Sequence, residues 1–149
     1  MAGRVLALDL GKRRIGLASS DELGFSAHGL PTLVRKNKRL DLEALQKIIT
    51  EREIALILVG NPLHMSGDES TQSRLAAEFA GVLAKHSGVT VKLWDERLTT
   101  REASRVLRQS GMGIKKRNAA VDQLSAVLIL QSYLDFVAAQ NEYGARAEP

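Results

Sequence analysis

The sequence predicts a single mixed α/β domain: a five-stranded sheet with antiparallel hairpins at one edge and helices on both faces. Three observations point there. Two apolar runs, 4–10 and 15–20, are separated only by Gly11, Lys12, Arg13 and Arg14, a turn too short for anything but an antiparallel hairpin. Residues 54–59 (IALILV) are continuously apolar, as a strand buried on both faces of a parallel sheet must be. From there onward, helical and extended patterns alternate.

In chain order, 4–10 and 15–20 are the first two strands. Residues 25–34 supply a third, placed at an edge because Pro31 lacks the N–H that an inner strand needs. Leu42, Leu45, Ile48 and Ile49 recur at helical spacing and predict a helix over 40–52. After the strand 54–59, Gly60, Asn61 and Pro62 end the extended run, and the polar stretch HMSGDEST leads to a helix over 71–86. Gly88 stops that helix and 89–94 form the fifth strand, followed by Asp95, Glu96 and Arg97. Thr99 and Glu102 make a capping box for a helix to about residue 110. GMGIKKRN reads as a basic loop, and the last helix spans 119–139 with Val121, Leu124, Leu128 and Leu134 on its apolar side. The domain is expected to occupy 1–140, with 141–149 a frayed tail.

The 149 residues suffice for one core. The absence of cysteine excludes disulfides, thiolate nucleophiles and Cys-ligated metals. No signal peptide and no apolar run of transmembrane length stand out, so a cytoplasmic protein without a membrane partner is expected. The net charge of +4 is mild, but the bases cluster at Lys12-Arg13-Arg14, at Arg35-Lys36-Asn37-Lys38-Arg39, and at Arg105, Arg108 and Lys115-Lys116-Arg117. Each cluster alone is ordinary solvated surface. Together they favour a polyanion, held through phosphates because no aromatic lies within a cluster to stack on bases.

Active sites in such sheets lie at the carboxyl ends of the parallel strands. Asp9 is near the end of the first strand and Asp95-Glu96 at the end of the last. A carboxylate inside an apolar strand is costly unless something pairs with it, and Asp9 has two readings, a salt bridge to Arg13 or Arg14 or a ligand role. Asp122 opens the last helix, where an acid suits the dipole, and alone it reads as no more than that. Brought together, these carboxylates repel, and a divalent cation resolves the repulsion. Oxygen donors without Cys or spaced His select Mg²⁺ or Mn²⁺. Two such ions roughly 4 Å apart activate a water and stabilise the leaving oxygen of a phosphodiester. Lys12, Arg13 and Arg14 would then grip phosphates beside the acids. His28, His64 and His86 lack zinc-ligand spacing, and neither a Gly-x-Ser-x-Gly elbow nor a Walker A motif is present.

Four stretches, ALDLGKRRIGLASSD, LVGNPLHMSGDEST, WDERLTTREA and KKRNAAVDQLSAVLILQSYL, resemble the YqgF family, also called the RuvX family, over residues 5–134. The resemblance implies a three-layer ribonuclease H-like fold and metal-dependent nuclease activity. It makes Asp9, Glu96 and Asp122 the catalytic Mg²⁺ or Mn²⁺ ligands. Only one of Asp95 and Glu96 can face the site, because neighbours in a strand point to opposite faces. Arg97, Thr99 and Thr100 fall in the same motif as supporting residues, with Arg97 a phosphate contact, and Lys115, Lys116 and Arg117 form the basic stretch before the last helix. Asn61 and Ser125 depart from the family pattern. The family is linked to two substrates, four-way (Holliday) DNA junctions and the precursor of small-subunit rRNA; the first would call for a homodimer, since two strands are cut.

Two other readings compete. The pattern Asp-x-Gly-x-x-x-x-Gly at Asp9, Gly11 and Gly16 resembles the phosphate loop of actin-like ATPases, which need a second lobe that this chain has no room for. A non-catalytic nucleic-acid-binding or ribosome-assembly module would share the fold without the chemistry.

Overall fold

The computed structural model describes residues 3–62, 70–96 and 119–147. The predicted helix at 99–110 and the basic loop before residue 119 lie outside the described residues. The elements are β1 (Arg4–Leu10), β2 (Arg14–Ser20), β3 (Ala27–Val34), α1 (Lys38–Glu51), β4 (Ile54–Asn61), α2 (Thr71–Ser87), β5 (Thr90–Asp95) and α3 (Ala119–Ala147). Among the described residues the sheet has five strands in the order β3-β2-β1-β4-β5. β1, β2 and β3 pair antiparallel, whereas β4 runs parallel to β1 and β5 parallel to β4.

The parallel arrangement follows from the helices between the strands, which return the chain to the same end of the sheet. Asn37 caps α1 by accepting from the Leu40 N–H at 2.9 Å. Ser70 and Ser73 cap α2 reciprocally, and Ser70 Oγ also donates to the Pro62 carbonyl, tying the helix start to the end of β4. α2 ends at Gly88, whose φ of 72° is the left-handed conformation that favours glycine.

Two apolar layers flank the sheet. Leu6, Leu8, Ile15, Leu17, Ile57 and Val59 pack with α1 and α2 on one face. Ala7, Ala18 and Leu58 meet Ala126, Ile129, Leu130 and Leu134 of α3 on the other. Trp94 fastens β5 to α3: it packs edge-on against Tyr133 and Phe136 and donates to Ser132 Oγ.

Three readings of α3 change. Its buried side includes Asp122, Ala126, Ile129 and Leu130, while Leu124 and Leu128, expected inward, are only half-buried. So many positions of this helix are apolar that its period is blurred. Residues 119–141 are in fact long and apolar enough, by length and composition, to cross a membrane, contrary to the sequence reading; one face of the helix, with Ala126, Ile129, Leu130 and Leu134, packs on the sheet. The helix also continues to Ala147, past the expected end at 139, through residues with no proline before 149.

In the β2–β3 turn, Asp21 Oδ1 accepts from the Phe25 and Ser26 N–H groups at 2.7 and 3.3 Å. Desolvation pushes this carboxyl up, but the N–H donors of Phe25, Ser26 and Gly24, with His28 nearby, outweigh it and hold it below the usual carboxylate range. A lowered folded-state pKa stabilises the fold above the unfolded value of about 3.9, and that stability is lost as pH falls through the folded value. Thermal melts should therefore show Asp21→Asn less stable than the parent at neutral pH, with the gap closing under acid conditions.

Candidate active site

Alternation along the strands decides which acids can meet. On β1, Leu6 and Leu8 face α1 and α2, while Val5 and Ala7 face α3. Asp9 continues the second series and emerges on the α3 face at the strand's carboxyl end. Gly16 of β2 stands opposite it. Ala7 pairs with Leu58 and Leu8 with Val59, so the next step sets Gly60 beside Asp9. Glu96 lies over Gly60: a Cβ there would collide with Glu96 Oε1 and reach Ile129 Cδ1 at 2.8 Å. Trp94, two residues before Glu96, packs on α3, so the same parity carries Glu96 to the Asp9 face and leaves Asp95, in register with Asn61, on the other.

Asp9 and Glu96 thus line one cleft of about 390 Å³, with Lys12, Gly60, Pro62 and the α2 residue Gln72. Two carboxylates and a lysine at the carboxyl ends of parallel strands form the candidate centre.

Asp122 is held differently. It stands at the start of α3, 8% exposed, and Arg14 Nε donates to its Oδ2 at 2.7 Å. That helix start is seated on two glycines. A Cβ at Gly16 would run into the Asp122 carbonyl oxygen, and one at Gly29 would meet Gln123 Cγ at 2.6 Å. Thr32 Oγ1 donates to the Ala119 carbonyl and Gln123 Nε2 to that of Leu30, closing the seat. Asp122 is outside the lining of the carboxylate cleft, and among the described residues no three His, Cys, Asp or Glu form a metal-binding group. The structure therefore brings together two of the three expected acids and sets the third on the same sheet face, neutralised by a guanidinium.

The basic turn divides in the same way. Lys12 lines the acidic cleft, Arg13 lines the adjoining groove on the α1/α2 side, and Arg14, expected on phosphates, engages Asp122. Arg97, Thr99, Thr100, Lys115, Lys116 and Arg117 lie outside the described residues, as does His64. Gly16 enters the sequence reading only through the phosphate-loop pattern and Gly60 only as the end of a strand; the structure sets them under Asp122 and Glu96. An interior strand glycine marks a close approach by another group, and that signal could have found Gly16.

The donor set fits a hard divalent cation: two carboxylates share a cleft, and Gly60, lacking a side chain, lets the Glu96 carboxylate lie against β4. Substituting Gly60→Ala should displace Glu96 and lower the cleavage rate about 100-fold, the scale of a misplaced catalytic group. Steady-state rates beside circular-dichroism melts check this; an unchanged rate would show that the Glu96 position is immaterial.

Comparison with known proteins identifies the family. Residues 3–136 match the family model for RuvX, described as Holliday junction resolvase. A protein of Koribacter versatilis named "Putative pre-16S rRNA nuclease" is 59% identical over 133 residues, covering 89% of this chain and 87% of that one. One of the same name from Clostridium botulinum is 42% identical over 132 residues, covering 89% and 96%. Among solved structures, Thermus thermophilus RuvC in complex with a Holliday junction substrate superposes with a TM-score of 0.55 at 16% identity, covering 90% of this chain and 96% of that one. Fowlpox virus resolvase with junction DNA gives 0.51 at 12% identity, covering 90% and 98%. The fold is ribonuclease H-like, as in these resolvases.

Proposed function

Because the chain belongs to the RuvX family, we propose that it is a divalent-metal-dependent endonuclease that hydrolyses phosphodiester bonds of structured nucleic acid at the cleft of Asp9 and Glu96, with precursor 16S rRNA as its substrate. The single observation that carries the chemistry is the convergence of these two carboxylates, from different strands, in one cleft beside Lys12. The relatives at 59% and 42% identity support the choice of RNA.

Asp9 and Glu96 would hold Mg²⁺ or Mn²⁺, which when bound polarises the phosphate and lowers the pKa of the attacking water. The chain's own residues do the rest. The carboxylates fix the negative pole of the cleft, and Lys12 at its rim attracts and orients a phosphate oxygen. Asp122 stands ready on the same face, and its approach to the cleft would be set by how firmly Arg14 holds it. Arg97, Lys115, Lys116 and Arg117 would extend the phosphate contacts.

The test compares a precursor 16S rRNA fragment, a four-way DNA junction and a plain duplex, with Mn²⁺ or Mg²⁺ and with EDTA. Metal-dependent trimming of the RNA alone is the expected result. Paired cuts in the junction alone would overturn the substrate while keeping the chemistry. Binding that persists in EDTA, with cleavage of nothing, would replace the nuclease with a binding module.

A further inference from the structure

The second basic cluster is not used by the site above, and the structure gives it a form the sequence does not show. A groove of about 790 Å³ opens on the α1/α2 side of the sheet, between the β1–β2 turn, the β3–α1 connection and α2. Lys12, Arg13, Lys36 and Lys38 line it. Of its two acids, Asp41 accepts from Arg35 Nε at 3.4 Å and from the Lys36 N–H at 2.9 Å, and Glu78 stands across the groove on α2. Bases outnumber acids, so the groove suits an anion.

The rim is preorganised. Arg35 Nη1 donates to the Gly11 carbonyl at 2.8 Å, and the Arg35 N–H donates to the Arg13 carbonyl at 2.8 Å. With Asp41 holding the other side of its guanidinium, Arg35 locks the two basic loops together. The floor is apolar: Leu10, Val34, Leu75 and Phe79 line it, and Val34 and Leu75 are 61% and 49% exposed. A basic rim over an exposed aliphatic floor matches a phosphate backbone carrying unstacked bases. The volume is that of a small-ligand site, too small for a duplex. Leu10 and Lys12 line both this groove and the carboxylate cleft, so the two are continuous around one turn.

We propose that this groove takes the single-stranded segment flanking the scissile phosphate, which passes from the acidic cleft over Lys12, with its phosphates on Arg13, Lys36 and Lys38 and a base on Val34 and Leu75. The inference rests on the nuclease reading of the Asp9–Glu96 cleft. It makes the protein selective for ends or junctions that offer an unpaired strand, with little sequence preference, because aliphatic contacts accept any base.

The experiment measures fluorescence anisotropy in EDTA, so that binding is read without cleavage. Labelled RNA hairpins are compared with and without a short single-stranded extension. The extended hairpin should bind about tenfold tighter, the gain expected from one seated base with its phosphates. The double variant Lys36→Ala/Lys38→Ala should lose that gain and bind the unextended hairpin as the parent does; both lysines are exposed, so the fold is spared. The variant should also show a shallower salt dependence with the extended hairpin. Val34→Asp, opposite the bases and on an edge strand, should remove the gain through the floor instead. Equal affinity for the two hairpins, or equal weakening of both by the lysine variant, would overturn the proposal. Absence of the gain in the parent, with Asp9-dependent cleavage intact, condemns the groove alone; Asp9-independent cleavage condemns the site and leaves the binding result standing.

Discussion

Replacing Asp9 by Asn should abolish cleavage, by about 1,000-fold or more, while leaving affinity for nucleic acid nearly unchanged. The substitution keeps the shape of the side chain and removes its charge, at the point where β1 delivers a carboxylate into the cleft opposite Glu96. On the proposed mechanism, removing half of the two-carboxylate donor set would weaken the hold on a hard cation and with it the supply of activated water, a contribution of several kcal/mol to the transition state. Binding is carried by Lys and Arg on phosphates, and Asp9→Asn removes none of them. Affinity should even rise slightly, since an acid that repels phosphate is gone. Single-turnover rates beside anisotropy on the same preparation separate the two effects. A variant that cuts as fast as the parent would withdraw Asp9 from the chemistry.

Gly16→Ala should be the most damaging small substitution in the fold. Gly16 sits where α3 crosses β2, and an added methyl would run into the Asp122 carbonyl oxygen, which is helix backbone and cannot swing aside. The helix must lift, opening the layer that Ala7, Ala18, Leu58, Ala126 and Leu130 close, all fully buried. Overpacking of this kind costs about 1–3 kcal/mol, more when backbone must move. For a domain of this size, that is a fall in Tm of about 2–12 °C. Lifting α3 also carries Asp122 off Arg14, so activity should drop at temperatures where the variant is still folded. A melting curve matching the parent's would show that the seat yields. Gly16 thus has a packing role of its own, beneath the first turn of α3.

Local patterns carried most of the fold into the sequence reading. Residues 54–59 announced an inner parallel strand, Gly88 announced a helix end, and the short turn at 11–14 announced the hairpin; each depends on a few neighbouring residues. Strand alternation also settled that one of Asp95 and Glu96 faces the site, and parity chooses Glu96. What could not be read depends on residues far apart in the chain. Arg14 and Asp122 are 108 positions apart, and nothing local distinguishes an arginine that will grip phosphate from one that will hold a carboxylate. Arg35 likewise read as one more surface base among Lys36, Lys38 and Arg39, although it is a strut between Gly11 and Asp41. The glycines at 16 and 60 mark absences of side chain whose purpose shows only when Asp122 and Glu96 are seen against them. On α3, Val121 and Leu134 are buried as their spacing predicts, but Leu124 and Leu128 are not, because a helix apolar on most sides gives no clear stripe.

The central claim is that Asp9 and Glu96 together form a divalent-cation site. Mn²⁺ binding followed by electron paramagnetic resonance, on the parent, Asp9→Asn, Glu96→Gln and the double variant, tests it without any substrate. The parent should bind Mn²⁺ at a site that either single substitution weakens at least tenfold, with the double variant little worse than the singles because both act on one ion. Undiminished Mn²⁺ affinity in the double variant would contradict it, and would place the metal, and the chemistry, elsewhere in the chain.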